Sequence, residues 1–152
     1  MAPDFPPFEQ QRDGYTLSTD RARLNVGAIY AFLTKDSYWA QHISPGQLAR
    51  ALCGSLPIGV YASDGTMAAF GRVVTDYAVF AYLRDVFTLP AHRGRGLATW
   101  IATAIREHPE LATVSSWMLA TRDAQALYQK AGYRPVPHPE YYMSLPRGDG
   151  KP

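Results

Sequence analysis

Two arginines alternate with two glycines at Arg93-Gly94-Arg95-Gly96, and the apolar Leu97 and Ala98 follow at once. Residue types in that order can hold an anion. Glycine lets the chain turn tightly and lets a phosphate come close to the backbone, while the first amides of a following helix point outward without partners. The guanidinium groups add charge beside them. A tight turn with two solvated arginines would use the same residues, so other motifs must decide. A nucleotide-triphosphate loop is excluded, because no Gly-Lys-Ser or Gly-Lys-Thr follows. A dinucleotide fingerprint fits poorly, since Gly96 is followed by Leu97-Ala98-Thr99 with no third glycine or alanine in place.

Such a loop works only where a strand feeds it and a helix leaves it. Residues 79–88 read as the incoming strand, and Leu97, Ile101 and Ile105, with Trp100 and Ala104 alongside, give an amphipathic helix stopped near Pro109. Upstream, 58–61, an Asp64-Gly65 turn, 67–74 and a polar break at Thr75-Asp76 predict a three-stranded antiparallel meander ending in that strand. Earlier still, 15–18 reads as a strand, Leu24, Ile29, Phe32 and Leu33 recur at helical spacing, and 47–52 predicts a second helix. Downstream, 117–120 reads as a buried strand, Asp123 can cap a short helix through Ala131, and Gly132 can stop it in the left-handed conformation. Final strands are expected at 133–136 and 141–145. The order is strand, two helices, three strands, helix, strand, helix, then one or two strands.

The chain has 152 residues, 47% of them hydrophobic and 18% charged, which suits one globular domain with one core. Expected boundaries are a loose N-terminal segment 1–14, a domain 15–145 and a loose C-terminal tail 146–152. A net charge of only +2 gives no basis for a nucleic-acid surface. Cys53 has no partner for an internal disulfide and reads as a buried, inert thiol; the four histidines show no metal-ligand spacing. No apolar run approaches the roughly 20 residues needed to cross a bilayer, and the start is unlike a signal peptide, so no membrane association and a cytoplasmic location are expected.

A second motif joins the first. Residues 124–133, with Leu127-Tyr128 followed after three residues by Gly132-Tyr133, lie on the short helix downstream. Together with Arg93, Gly96 and Ala98, at the spacing Arg, two residues, Gly, one residue, Ala, this segment resembles the GNAT acetyltransferase superfamily. The resemblance covers roughly 15–145. It implies a single α/β (α+β) domain: a mixed, mostly antiparallel twisted sheet flanked by about four helices, with acetyl-coenzyme A in the cleft where the fourth and fifth strands splay.

The resemblance also implies roles. The loop Arg93, Gly94, Arg95, Gly96, Leu97 and Ala98 would hold the pyrophosphate, and a bulged strand at Val86, Phe87 and Thr88 would pair with the pantetheine arm, the Val86 N–H polarising the thioester carbonyl. The amine would attack directly, through a tetrahedral intermediate, with no enzyme nucleophile. Tyr128 would give a hydrogen bond or a proton to the departing thiolate, with a buried structural tyrosine as the lesser alternative. Asp85 could be the base or amine ligand; strict alternation sets it on the face of Leu83 and Phe87, where pairing an arginine or capping a turn is the alternative. Members that acetylate diamines carry a glutamate where this chain has Arg84, which counts against a polycation. Thr121 replaces the asparagine that many members place seven residues before the tyrosine, so one cofactor contact is in doubt.

The acceptor is expected between the first two helices and the last strands, near Tyr38, Trp39, His42, Arg84, Tyr141 and Tyr142, aromatics that could instead be core or interface. The expected reaction is acetylation of a small primary amine, or less readily a protein amine, with a non-catalytic acyl-CoA sensor as the alternative. Exposed aromatics in the last segment could pair two copies into a homodimer.

Overall fold

The structure, a computed structural model, describes residues 2–146. Six strands form one sheet in sequence order: β1 (Glu9–Arg12), β2 (Tyr15–Ser18), β3 (Leu56–Tyr61), β4 (Met67–Thr75), β5 (Phe80–Thr88) and β6 (Ser116–Met118). All neighbours are antiparallel except β5 and β6. The expected fourth and fifth strands are thus β5 and β6, because an extra edge strand precedes them. β1 lies within the first dozen residues, where the prolines gave no sign of it; its sequence is all polar, and pairing with β2 rather than an apolar face holds it.

Four α-helices complete the domain: α1 (Val26–Lys35), α2 (Pro45–Cys53), α3 (Leu97–Ala104) and α4 (Gln125–Lys130). In α1, Ile29, Phe32 and Leu33 fall on one face and are buried, while the Asn25 side chain caps the first turn. Ser44 and Gln47 form a reciprocal capping box on α2, with Pro45 at the first helical position. The two sides of the sheet carry separate cores. One packs α3, through Leu97, Trp100 and Ile101, on Ile58, Val60 and Leu83; the other packs α1 and α2 on Tyr61, Phe70 and Phe87.

Several expectations need correction. No strand forms at 133–136 or 141–145: Pro135, Pro137 and Pro139 remove ladder donors, and only a turn of 3-10 helix at Pro139–Tyr141 breaks an otherwise irregular run. β6 is shorter than expected and half-buried rather than buried, being the sheet's edge. Asp123 does not cap α4; the first residue before that helix is Ala124, whose N–H donates to Thr121 Oγ1 at 3.0 Å. Cys53 is exposed, because it closes α2 beyond the buried face of Leu48 and Leu52. The expected tail 146–152 falls, apart from Pro146, outside the described residues. No helix among the described residues is long and apolar enough to cross a membrane.

Candidate active site

β5 is paired on both sides only at its start. Phe80, Ala81 and Tyr82 stand against Ser116, Trp117 and Met118 of β6, after which the two strands part. From Leu83 to Thr88 the outer edge of β5 has no strand beside it among the described residues. An extended ligand arm can pair with such an edge through main-chain groups alone.

The inner edge is bulged at the same place. Phe70 pairs with Phe87 and Arg72 with Arg84, so the single residue Gly71 of β4 faces both Asp85 and Val86. Asp85 takes up the extra residue with a positive φ of 54°, a conformation uncommon outside glycine. The bulge reverses the side-chain parity of the strand. Leu83 therefore joins the α3 core and Phe87 the α1–α2 core, and the expectation that alternation keeps Asp85 on a face shared by both is wrong.

The Asp85 carboxylate turns into a buried junction. Oδ2 accepts from Arg72 Nε at 2.5 Å and Oδ1 accepts from Trp39 Nε1 at 2.8 Å. The arginine pairing expected as one reading of Asp85 is formed. Trp39 arrives on the loop between α1 and α2, which the buried Ser37 folds by donating to the Leu33 carbonyl and accepting from the Ala40 N–H. Tyr38 packs edge-on against Trp39, and its hydroxyl accepts from the Arg122 N–H at 2.9 Å.

Between these groups lies a cleft of about 370 Å³. Tyr38, Trp39, Arg84, Asp85, Val86, Thr121 and Tyr128 all line it, bringing together most of the expected acceptor and catalytic residues. Tyr142 does not, because the segment after α4 does not return as a strand; Tyr141 and Tyr142 are exposed away from the cleft lining. Tyr128 stands on α4 across from the β5 edge, edge-on to Tyr133, and its hydroxyl has no partner among the described residues. Burial, reinforced by the neighbouring phenols of Tyr133 and Tyr38, pushes its pKa up to about 12. The phenol thus keeps its proton throughout the neutral range.

At the far end of β5, one turn of 3-10 helix at Pro90–His92 leads into the glycine loop. Gly94 has φ 78° and Gly96 φ 70°, so both occupy the left-handed region in which a side chain is strained. Gly96 caps α3 without any side-chain hydrogen bond, and the first bond of the helix runs from the Trp100 N–H to the Gly96 carbonyl. The amides of Leu97, Ala98 and Thr99 therefore remain for a ligand. Arg93 reaches back to the Thr88 carbonyl at 3.2 Å, while Arg95 lies 5.9 Å from the Tyr15 ring.

A third arginine, which sequence spacing could not reveal, joins them. Arg12 at the end of β1 donates to the Gly96 carbonyl at 3.3 Å and stacks 4.6 Å from the Trp100 ring. Arg12, Tyr15 and Arg95 line a hollow of about 230 Å³ beside the loop. Left-handed glycines, uncapped amides and gathered arginines fit a pyrophosphate, and the open β5 edge next to them fits the arm of coenzyme A.

Residues 56–135 match the acetyltransferase (GNAT) domain family. A protein of Gibberella zeae named as an acetyltransferase is 33% identical over 146 residues, spanning 82% of this chain and 81% of its own length. The crystal structure of an acetyltransferase of the GNAT family from Xanthomonas campestris pv. campestris superposes with a TM-score of 0.81 at 41% identity, covering 86% of this chain and 92% of that one. The spermidine N-acetyltransferase of Vibrio cholerae, solved with CoA and spermine, shares the fold at a TM-score of 0.62 and 17% identity, covering 80% and 81%. With a family model matching more than half of the chain and a relative 33% identical over most of both lengths, the chain belongs to the GNAT acetyltransferases and is an acyltransferase.

Proposed function

We propose that the protein moves the acetyl group of acetyl-CoA directly to the primary amine of a small molecule. The observation that carries this reading is the unpaired edge of β5, with the protonated Tyr128 facing it across the cleft. When bound, the cofactor supplies an activated thioester. The loop Arg93–Ala98 holds its pyrophosphate through main-chain N–H groups, and the backbone of Val86, Phe87 and Thr88 holds its arm, with the Val86 N–H available to polarise a carbonyl.

Tyr128 keeps its proton, pushed up to about pKa 12, and can donate it as a hydrogen bond that stabilises a departing thiolate, ordinarily about pKa 8.5. Asp85 acts by position. Its two oxygens bind Arg72 and Trp39, so it fixes the bulge and the acceptor loop, and water carries the proton of the amine. Thr121 Oγ1 accepts from the Ala124 N–H and its carbonyl accepts from the Gln125 amide, which leaves the Thr121 O–H as the donor available to a ligand.

The test is thiol release from acetyl-CoA with a panel of amines, amino acids, polyamines and peptides, alongside calorimetry with coenzyme A. Binding with thiol release dependent on a small amine is the expected result. Binding without release for any amine would make the protein an acyl-CoA sensor, and no binding would sink the cofactor site itself.

A further inference from the structure

The charges around the cleft describe the acceptor, given the acetyl-transfer reading on which this step rests. Four charged residues line it: Arg84, Asp85, Arg122 and Asp123. Asp85 is neutralised in place, since Arg72 and Trp39 occupy its two oxygens and it is only 6% exposed. Asp123 points into solvent, 3.5 Å from Arg122. Arg84 has no carboxylate within ion-pair distance among the described residues. Cation thus exceeds unspent anion at the rim.

Arg122 is also held in place. Its guanidinium lies 3.8 Å from the centre of the Tyr38 ring, and its own N–H is fixed by the Tyr38 hydroxyl. Stacking orients a planar fork of donors, and the carboxylate nearest that fork among the described residues is the exposed Asp123 at 3.5 Å, a weak solvated pair that an acceptor's carboxylate or phosphate can displace. A polyamine would need the reverse, unpaired carboxylates around the cleft; among the described residues both lining carboxylates already face an arginine, Asp85 with Arg72 and Asp123 with Arg122.

We propose that the acceptor is an amine that also carries an anionic group, with Arg122, stacked on Tyr38, and Arg84 recognising the anion. The amine enters beside Trp39 and the β5 bulge, while the anion stays at the cationic rim. Amino acids and aminoalkyl phosphates share that chemistry.

The experiment compares matched pairs: phenylalanine with phenylalaninamide, 2-aminoethyl phosphate with ethanolamine, and spermidine as the polycation. KM per free base for the anionic member should be about tenfold or more below that of its neutral partner, the scale of one charge-assisted contact. Arg122→Gln, and separately Arg84→Gln, should shrink that gap while leaving KM for acetyl-CoA unchanged. The carboxylate and phosphate pairs show which anion is preferred. Equal or better use of the neutral amine or of spermidine overturns the proposal, as does an Arg122→Gln effect confined to KM for acetyl-CoA. The same pairs are titrated by calorimetry into protein saturated with coenzyme A. An anionic preference in binding with no turnover of any amine supports the charge recognition and sinks acetyl transfer; no preference in binding overturns the charge recognition alone.

Discussion

The glycine loop and the β5 bulge lie at opposite ends of one short stretch of chain, and they are built from opposite materials. The loop at 93–96 is exposed and offers main-chain N–H groups, with Arg93 folded back onto the Thr88 carbonyl. The bulge is buried and works through side chains: Asp85, Arg72 and Trp39 interlock, so that none can change without leaving another's charge or donor unmet. A backbone site tolerates substitution everywhere except where a side chain would fill or charge the space. A side-chain junction stands or falls as a unit.

The strongest way to break that contrast is at the junction. Arg72→Ala would leave the Asp85 carboxylate buried without its cation, and stability in urea should fall by about 3–5 kcal/mol. Asp85→Asn should cost less, since an amide can still accept from Trp39. If Arg72→Ala unfolded at the wild-type denaturant midpoint, the pair would be a surface feature in solution.

At the loop the largest effect should fall on binding. Gly96→Asp puts a carboxylate where phosphate is expected, and affinity for coenzyme A should drop by about 10²-fold or more, which is near 3 kcal/mol. Aspartate tolerates the left-handed region better than most residues, so the fold should survive and the loss should report charge. Unchanged affinity by calorimetry would move the cofactor elsewhere.

The same contrast explains what could be read from the chain. The loop is sequence-local, with glycines, arginines and helix start all within six positions, so the turn and the helix start were legible there, while the anion reading needed the second motif at 127–133. The meander was equally legible, because Asp64-Gly65 and Thr75-Asp76 punctuate it. The junction was not. Arg72 and Asp85 are 13 residues apart and meet only through strand register, and a one-residue bulge reversed the face that alternation assigned to everything beyond it. Arg12 reaches Gly96 across 84 residues, from a strand of four polar residues without a periodic signal. The missing last strands were a different matter: the aromatic and branched residues at 133–136 and 141–145 suit a strand, but Pro135, Pro137 and Pro139 deny the segment its ladder donors.

Between loop and junction stands Tyr128, which belongs to neither. Tyr128→Phe keeps the ring against Tyr133 and removes a hydroxyl that has no protein partner among the described residues, so stability should change little. Turnover should fall by about 10²-fold while affinity for acetyl-CoA holds. Because the phenol is pushed up to about 12, wild-type activity should show no loss from tyrosine ionisation below about pH 10, the ordinary phenol value. A fall in melting temperature together with activity would make the hydroxyl structural.

The smallest expected effect sharpens the comparison most, because it asks whether charge or backbone holds the anion. Arg95 is exposed, and its guanidinium lies 5.9 Å from the Tyr15 ring without an ion pair among the described residues. An exposed charge in water contributes little at that range, and salt screens it further. Arg95→Ala should therefore weaken coenzyme A by only about threefold, and the deficit should shrink in 0.5 M salt (about a 4 Å screening length). Arg12→Ala should cost more, because Arg12 also supports the Gly96 carbonyl and so holds the shape of the loop. The order of the two variants is the measurement that matters. If Arg95→Ala were the more damaging, and its loss vanished in salt, the loop would be an electrostatic site with a glycine hinge, and the main-chain amides of α3 would be secondary.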